Sequence, residues 1–222
     1  MRSALLAASL LATAPPPGGR DPGIVEQVVA VVRTPASPRP RVITLTRLEE
    51  EARIALISRG ATRAAEGELD LPALRAGLEW LIDQTLLLDE VVRLQVFEVD
   101  RPEALEELRR FQARFAAAAD YRAFLARWDV TEEELLVVLR RMLRVQRYLD
   151  SRVSGAARVR EADVDRLLRE QGVEARGDAR VRAQARARLS RERTEREVKA
   201  LLADLRGRAT VRVLETFDGG KG

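Results

Sequence analysis

Acidic and basic side chains are the groups in this sequence whose types and spacing could do chemistry. The 222 residues include no histidine and no cysteine, which excludes imidazole bases, thiolate nucleophiles and disulfides. Close carboxylates at Asp163 and Asp165, and at positions 132–134, could hold a metal ion or act as an acid–base pair. At these spacings they are more typical of helix starts and solvated helix surfaces. The glycines at 18–19 lie in a proline-rich stretch and form no phosphate-binding loop. We therefore predict no catalytic site, no metal site and no cofactor.

Arginine dominates the basic residues, since all but two of the 39 are arginine, and the net charge is +4. The arginine-rich segment 176–208 could neutralise the phosphates of a nucleic acid. Glu192 and Arg196, and likewise Glu195 and Lys199, stand four residues apart. Such pairs are typical of a solvated helix face. We therefore expect no nucleic-acid partner, and a cytoplasmic nucleic-acid binder is the third and last of our hypotheses.

The first residues have the pattern of an export signal. A short basic start is followed by an apolar run that ends in Ala-Thr-Ala at positions 12–14, and this predicts a signal peptide over residues 1–14. The run is too short to cross a membrane, which takes roughly 20 residues as a helix. Pro15 is a poor context for cleavage after Ala14, so cleavage elsewhere, a weak anchor or an alanine-rich tail stay open as alternatives. An export signal argues against a nucleic-acid partner.

Domain organisation follows from composition. Residues 15–23 are rich in proline and glycine and are predicted to be a linker. Residues 24–216 form the predicted folded domain, and residues 217–222 a flexible tail. Alanine, leucine, arginine and glutamate are abundant and favour helix, so the predicted fold class is mainly α with a small antiparallel β element.

Hydrophobic periodicity and capping patterns place the elements. Strands are predicted at 24–32, 42–45 and 210–214, with the last paired to the hairpin formed by the first two. Helices are predicted at 46–59, from Asp70 through Val92, from Asp100 through Phe115, from Asp120 through Trp128, and at 131–153, 161–170 and 178–206. Residues 61–69 are predicted to be a connector without regular structure.

The order of these motifs resembles the chaperone module of SurA-type periplasmic folding factors. The similar segments are the strand 25–32 with 42–44, the helix LEWLIDQTLLLDE at 78–90, the aromatic segment 121–128 with 131–139, and 159–164. Each motif is ordinary on its own, and their order over residues 24–214 carries the resemblance. It implies an exported, periplasmic protein that binds unfolded exported or outer-membrane proteins without ATP.

The sequence departs from that family in one large respect. Members usually insert a parvulin isomerase domain between the short helix near Asp163 and the long helix that begins at Asp178, and here few residues lie between them. A parvulin active site also uses histidine, which this chain lacks. The resemblance therefore implies a holdase without isomerase activity, and we expect no enzyme. The alternative is a non-catalytic helical subunit of an envelope or secretion assembly, with an envelope protein as its partner.

Nine apolar residues are candidates for client binding, because they lie off the main helix stripes or form an aromatic series. They are Ile54, Ile57, Trp80, Leu87, Phe111, Phe115, Tyr121, Phe124 and Trp128. The alternative for each is an ordinary core contact with a second helix. Trp128, beside a predicted turn, is the candidate we expect to be most exposed.

Overall fold

The structure, a computed structural model, describes residues 26–155, 158–172 and 178–217. The strands in these residues are β1 (Val28–Arg33), β2 (Arg41–Thr44) and β3 (Thr210–Val213). The helices are α1 (Leu45–Ser58), α2 (Thr62–Glu66), α3 (Leu71–Leu94), α4 (Arg101–Gln112), α5 (Ala118–Arg127), α6 (Glu132–Val153), α7 (Glu161–Glu170) and α8 (Ala179–Arg208). The predicted class, mainly α with a small antiparallel sheet, is confirmed. The predicted signal peptide at 1–14 and the linker at 15–23 lie outside the described residues.

The sheet joins strands from both ends of the described chain. Its order is β2-β1-β3, and both pairings are antiparallel. In the central strand, Val31 lies opposite Val42 of β2 and opposite Arg212 of β3. The predicted pairing of the C-terminal strand with the N-terminal hairpin is confirmed.

Local capping explains where several helices begin. The Asp70 carboxylate accepts from the Ala73 backbone N–H at 2.8 Å and starts α3. Reciprocal capping boxes start α4, where Asp100 pairs with Glu103, and α6, where Thr131 pairs with its third helical residue. These bonds satisfy amide groups that have no partner inside a helix, and they confirm the predicted starts.

Other boundaries differ from the prediction. Helix α1 is capped by Thr44, whose hydroxyl accepts from the Arg47 N–H at 3.4 Å, and not by Thr46. In α5, Asp120 lies inside the first turn and accepts from the Ala117 N–H at 3.1 Å. The connector predicted at 61–69 contains the short helix α2. Helix α8 continues through Gly207 to Arg208, although the glycine was predicted to end it.

Three apolar clusters hold the helices and the sheet. The sheet cluster joins β1 and β2 to α3, α6 and the C-terminal part of α8, with Val32, Ile43, Leu81, Leu86 and Leu205 among its buried members. The aromatic cluster joins α1, α4, α5 and α6, and Ile54, Phe111 and Leu135 are among its members. The arm cluster contains Val164 and Leu168 of α7 with Ala185 of α8. We call α7 and residues 179–193 of α8 the arm, and the elements from β1 to α6, together with residues 194–208 of α8 and β3, the body.

The fold extends one residue past the predicted domain end. Phe217, assigned to the flexible tail from the sequence, is buried in the sheet cluster. The Arg75 guanidinium donates to the Phe217 carbonyl oxygen at 3.1 Å and to that of Thr216 at 3.3 Å. These bonds fasten residues 216–217 to α3. Within the described residues, no helix is both long enough and apolar enough to cross a bilayer.

Candidate functional site

The nine predicted client-binding residues fall into two groups by burial. Six are buried in this conformation: Ile54, Ile57, Phe111, Tyr121 and Phe124 in the aromatic cluster, and Leu87 in the sheet cluster. Trp80, Phe115 and Trp128 are half-buried. Helix α1 is apolar on two faces because it packs on two neighbours, with Leu48 in the sheet cluster and Ile54 in the aromatic cluster. A client could contact the six buried side chains only if the helices moved apart.

The aromatic side chains contact one another rather than line an open groove. Phe115 has its ring centroid 5.6 Å from those of Tyr121 and Phe124, and Phe111 is 5.7 Å from Phe115. The Tyr121 hydroxyl donates to the Glu132 carboxylate at 2.9 Å. Burial raises the pKa of Tyr121 to about 12, so the phenol keeps its proton at neutral pH and acts as a donor.

Trp128 is covered on one face by a buried arginine. The guanidinium carbon of Arg53 lies 3.4 Å from the ring centroid, and Arg53 is only 2% exposed. Its Nη1 donates to the carbonyl oxygens of Ala65 at 3.0 Å and Gly67 at 2.6 Å, which ties α1 to the turn after α2. Burial lowers the pKa of Arg53. The Arg53 Nε and Trp128 Nε1 groups are buried without a hydrogen-bond partner in the described residues.

An open depression of about 170 Å³ adjoins Trp128 and is also lined by Leu45, Thr46, Glu49 and Glu50. Burial, followed by repulsion from Glu134 and other carboxylates, raises the pKa of Glu50. The carboxylates of Glu49 and Glu50 make this depression suited to a cationic side chain rather than to bond-breaking chemistry. Trp128, predicted to be the most exposed of the nine candidates, is half-buried like Trp80 and Phe115, and it lines this depression.

Two buried carboxylates of the body act as fasteners between elements. Glu51 accepts from Arg47 at 2.8 Å and also bonds Arg141, which links α1 to α6. Asp89 of α3 accepts from the Thr34 hydroxyl at 2.8 Å and from Arg41 at 3.0 Å, which links α3 to the β1–β2 hairpin. Charged partners offset the cost of burying each carboxylate, so both have a structural role.

The carboxylates considered for metal or acid–base chemistry take part in capping and ion pairs. Asp163 accepts from the Arg160 N–H at 3.2 Å at the start of α7, and from Arg193 at 2.8 Å. Asp165 pairs with Arg182 at 2.7 Å. No group of three or more possible metal ligands occurs in the part of the chain that the structure describes.

The outer face of the sheet is a surface that the sequence analysis did not consider as a site. A shallow groove of about 430 Å³ is lined there by Val31, Arg33, Thr210, Arg212 and Leu214. Leu214 is 54% exposed there, whereas Val213, which is 39% exposed, lies on the other face of the strand, opposite the buried Ala30. The sequence pattern that could have pointed to this surface is the alternation from Thr210 to Leu214, because it places apolar side chains on an edge strand of the sheet.

Comparison with models of known protein families, with curated proteins and with solved structures gives no match at a significant level. The likeness to the SurA-type module is therefore one of motif order along the sequence.

Proposed function

We propose that the protein is an exported, periplasmic holdase that binds unfolded exported or outer-membrane proteins weakly, without ATP and without isomerase activity. The observation that carries this proposal is the position of exposed apolar side chains. Of the eight large apolar residues exposed in the described chain, four lie on the sheet or directly after it: Val28, Val42, Val213 and Leu214. Val42 and Leu214 share the outer face with Val31, and an exposed apolar patch of this kind commonly marks a binding surface.

The patch has the chemistry of a weak binding surface. Its apolar residues lie beside arginines, as Val31 and Leu214 do beside Arg33 and Arg212. Burial of apolar area contributes about 25 cal/mol per Å², and much of that gain is offset when a flexible chain becomes ordered. A surface of this kind holds an extended segment reversibly, and the resemblance to a chaperone module supports the same function.

The light scattering of an aggregating, chemically unfolded outer-membrane protein tests the proposal. We expect the full chain to suppress aggregation at near-stoichiometric ratio. The double variant Val213→Ser, Leu214→Ser should suppress it less, because it removes exposed apolar area from both faces of the edge strand. Val137→Ser is the matched control, since Val137 is 59% exposed on α6, away from the sheet. Failure of the unmutated chain to suppress aggregation of several clients would contradict the proposal.

Export is a separate part of the proposal and has its own test. Residues 1–23 fused to a reporter that is active only outside the cytoplasm should give reporter activity. Substituting acidic residues for Leu5 and Leu6 should abolish it, because the apolar run is what an export signal requires. An inactive fusion of residues 1–23 would leave the folded domain without an export route and contradict periplasmic location.

The second candidate is a dedicated subunit of an envelope or secretion assembly. The burial of six of the nine predicted client-binding residues favours it, because these side chains form no open aromatic groove within the described part of the chain. A photo-crosslinking residue at position 214 separates the two functions in cells. A holdase should give many crosslinked products, and a dedicated subunit one product of fixed mass.

A further inference from the structure

Strand β3 has one paired side and one open side. The Leu214 N–H donates to the Val29 carbonyl oxygen at 2.8 Å. Because backbone groups alternate in direction along an antiparallel strand, those of Thr210 and Arg212 also point towards β1. The N–H and C=O groups of Val211 and Val213 therefore point away from the sheet, and no other strand in the described residues lies there.

The opposite edge of the sheet is blocked. Pro40 directly precedes β2, Pro38 lies two residues before Pro40, and neither can donate to a new strand. The Arg47 guanidinium donates to the Val42 carbonyl oxygen at 3.2 Å, and β2 passes directly into α1. Proteins commonly protect sheet edges by such means. Within the described residues, β3 has no proline and no side-chain bond on its open side.

The face beside the open edge is positively charged. Arg212 lies opposite Val31, and Arg33 lies opposite Thr210, so the two arginines are diagonal neighbours on one face. Neither guanidinium has an ion pair with a carboxylate of the described residues. Like charges at neighbouring cross-strand positions are unfavourable, and a carboxylate placed between them would relieve the repulsion.

We propose that β3 accepts an extended acidic polypeptide segment as a fourth strand of the sheet. The backbone of the segment bonds Val211 and Val213, a carboxylate side chain lies beside Arg212 on one face, and an apolar side chain covers Val213 on the other face. The inference rests on the proposed function and names the class of client segment that this surface takes. Strand addition draws its affinity from main-chain bonds and its selectivity from alternate side chains.

Charge selects this occupant over a second copy of the chain. A twofold pairing of β3 with its copy that uses Val211 and Val213 of both strands places Arg212 opposite Arg212. Four arginines, Arg33 and Arg212 from each copy, then share one face without a counter-charge. An acidic segment forms the same main-chain bonds and neutralises the face.

Fluorescence anisotropy with labelled nine-residue peptides of alternating valine and glutamate, or valine and lysine, tests the inference. The unmutated full chain should bind the glutamate peptide in preference to the lysine peptide. Arg212→Glu should lower the affinity for the glutamate peptide by about tenfold, equivalent to 1.4 kcal/mol. The same variant should bind the lysine peptide more tightly than the glutamate peptide. Arg122→Glu on α5 is the matched control, with the same change in net charge on an exposed arginine, and should change affinity less than about twofold.

A second variant tests the backbone contact independently of charge. Val213→Pro removes an N–H on the open side and leaves the bonds to β1 in place. It should therefore lower the affinity for both peptides, with little change in the thermal unfolding temperature. Equal binding of both peptides by the unmutated chain, or no binding, would overturn the inference. A concentration-dependent dimer that Val213→Pro dissociates, without peptide binding, would assign the edge to a second copy instead and also overturn it.

The aggregation assay separates this inference from the proposed function. If the unmutated chain and Arg212→Glu suppress aggregation of an acidic client equally, the holdase function stands and the role of β3 is wrong. If the unmutated chain binds the glutamate peptide through Arg212 and suppresses no aggregation, the role of β3 stands and the holdase function is wrong.

Discussion

The body and the arm are held together by different interactions. In the body, side chains such as Leu48, Leu81 and Leu135 are at most 1% exposed and belong to two large clusters. In the arm, only a few apolar residues are buried, and ion pairs such as Arg182 with Asp165 and Arg193 with Asp163 join α7 to α8. Exposed ion pairs contribute about 0–1 kcal/mol each. The arm should therefore open at a much lower free energy than the body unfolds.

Helix α8 belongs to both regions. Leu205 is buried in the sheet cluster, and Arg206 donates to Asp83 at 2.8 Å and to Glu79 at 2.7 Å on α3. Its N-terminal half contributes Ala185 to the arm cluster alone. Motion of the arm thus need not disturb β3, which the anchored end of α8 positions.

Truncation of one buried leucine in each region should give the largest difference. Leu135→Ala should lower the free energy of unfolding by about 2–5 kcal/mol, because it leaves a cavity in the aromatic cluster. Leu168→Ala should leave unfolding of the body unchanged. Urea unfolding followed by tryptophan fluorescence measures this, since Trp80 and Trp128 both lie in the body. Equal shifts in the two midpoints would show that body and arm unfold as one unit.

Loss of a buried arginine should have the next largest effect. Arg53→Ala removes the cover of Trp128 and leaves the carbonyls of Ala65 and Gly67 without their donor. We expect the free energy of unfolding to fall by about 1–3 kcal/mol, which is the cost of leaving buried polar groups without a partner. Arg182→Ala in the arm should lower the free energy of unfolding, followed by the same tryptophan fluorescence, by less than about 1 kcal/mol. A loss for Arg182→Ala as large as that for Arg53→Ala would contradict the comparison.

High salt should act on the arm and spare the body. At 1 M salt the screening length falls to about 3 Å, which weakens the pairs from Arg182 and Arg186 to Glu161. Hydrogen exchange of α7 amides should become faster, while exchange in α3, which also buries Leu81, Ile82 and Leu86 in the sheet cluster, should change much less. Unchanged exchange in α7 would show that Val164 and Leu168 alone hold the arm closed.

Local signals in the sequence were sufficient where the deciding contacts are local. The boxes at Asp100 and Thr131 act within three residues, so their helices begin where predicted. The start of α1 was displaced because the sheet decides it: the Leu45 N–H donates to the Gln27 carbonyl oxygen at 2.8 Å, which makes Thr44 the cap. Helix α2 is five residues long and carries too short a pattern to be recognised.

The candidate site depended on contacts that the sequence does not encode locally. Ile54 and Phe111 have the spacing of a second apolar face, and only the packing of α1 between two clusters decides that this face is buried. The open edge of β3 depends on the order of a sheet whose strands come from opposite ends of the chain. The alternation from Thr210 to Leu214 predicted the strand but not which side of it stays unpaired.

Lowering the pH should remove a destabilising charge from the body at Glu50 and a stabilising one from the arm at Asp163. We expect these effects on stability to be the smallest. Burial raises the pKa of Glu50 above its usual 4.5, so its charge costs stability at neutral pH and the cost disappears as pH falls through that raised pKa. The hydrogen bond from Arg193 lowers the pKa of Asp163 below its usual 3.8, so its contribution is present at neutral pH and is lost as pH falls through the lowered pKa. Glu50→Gln should therefore raise the thermal unfolding temperature at pH 7 and have less effect at pH 4. Asp163→Asn should leave that temperature unchanged and speed tryptic cleavage of the arm at pH 7. A lower unfolding temperature for Glu50→Gln at pH 7 would mean that burial does not dominate the pKa of Glu50. Unchanged tryptic cleavage of Asp163→Asn would mean that the arm is not held by its charges.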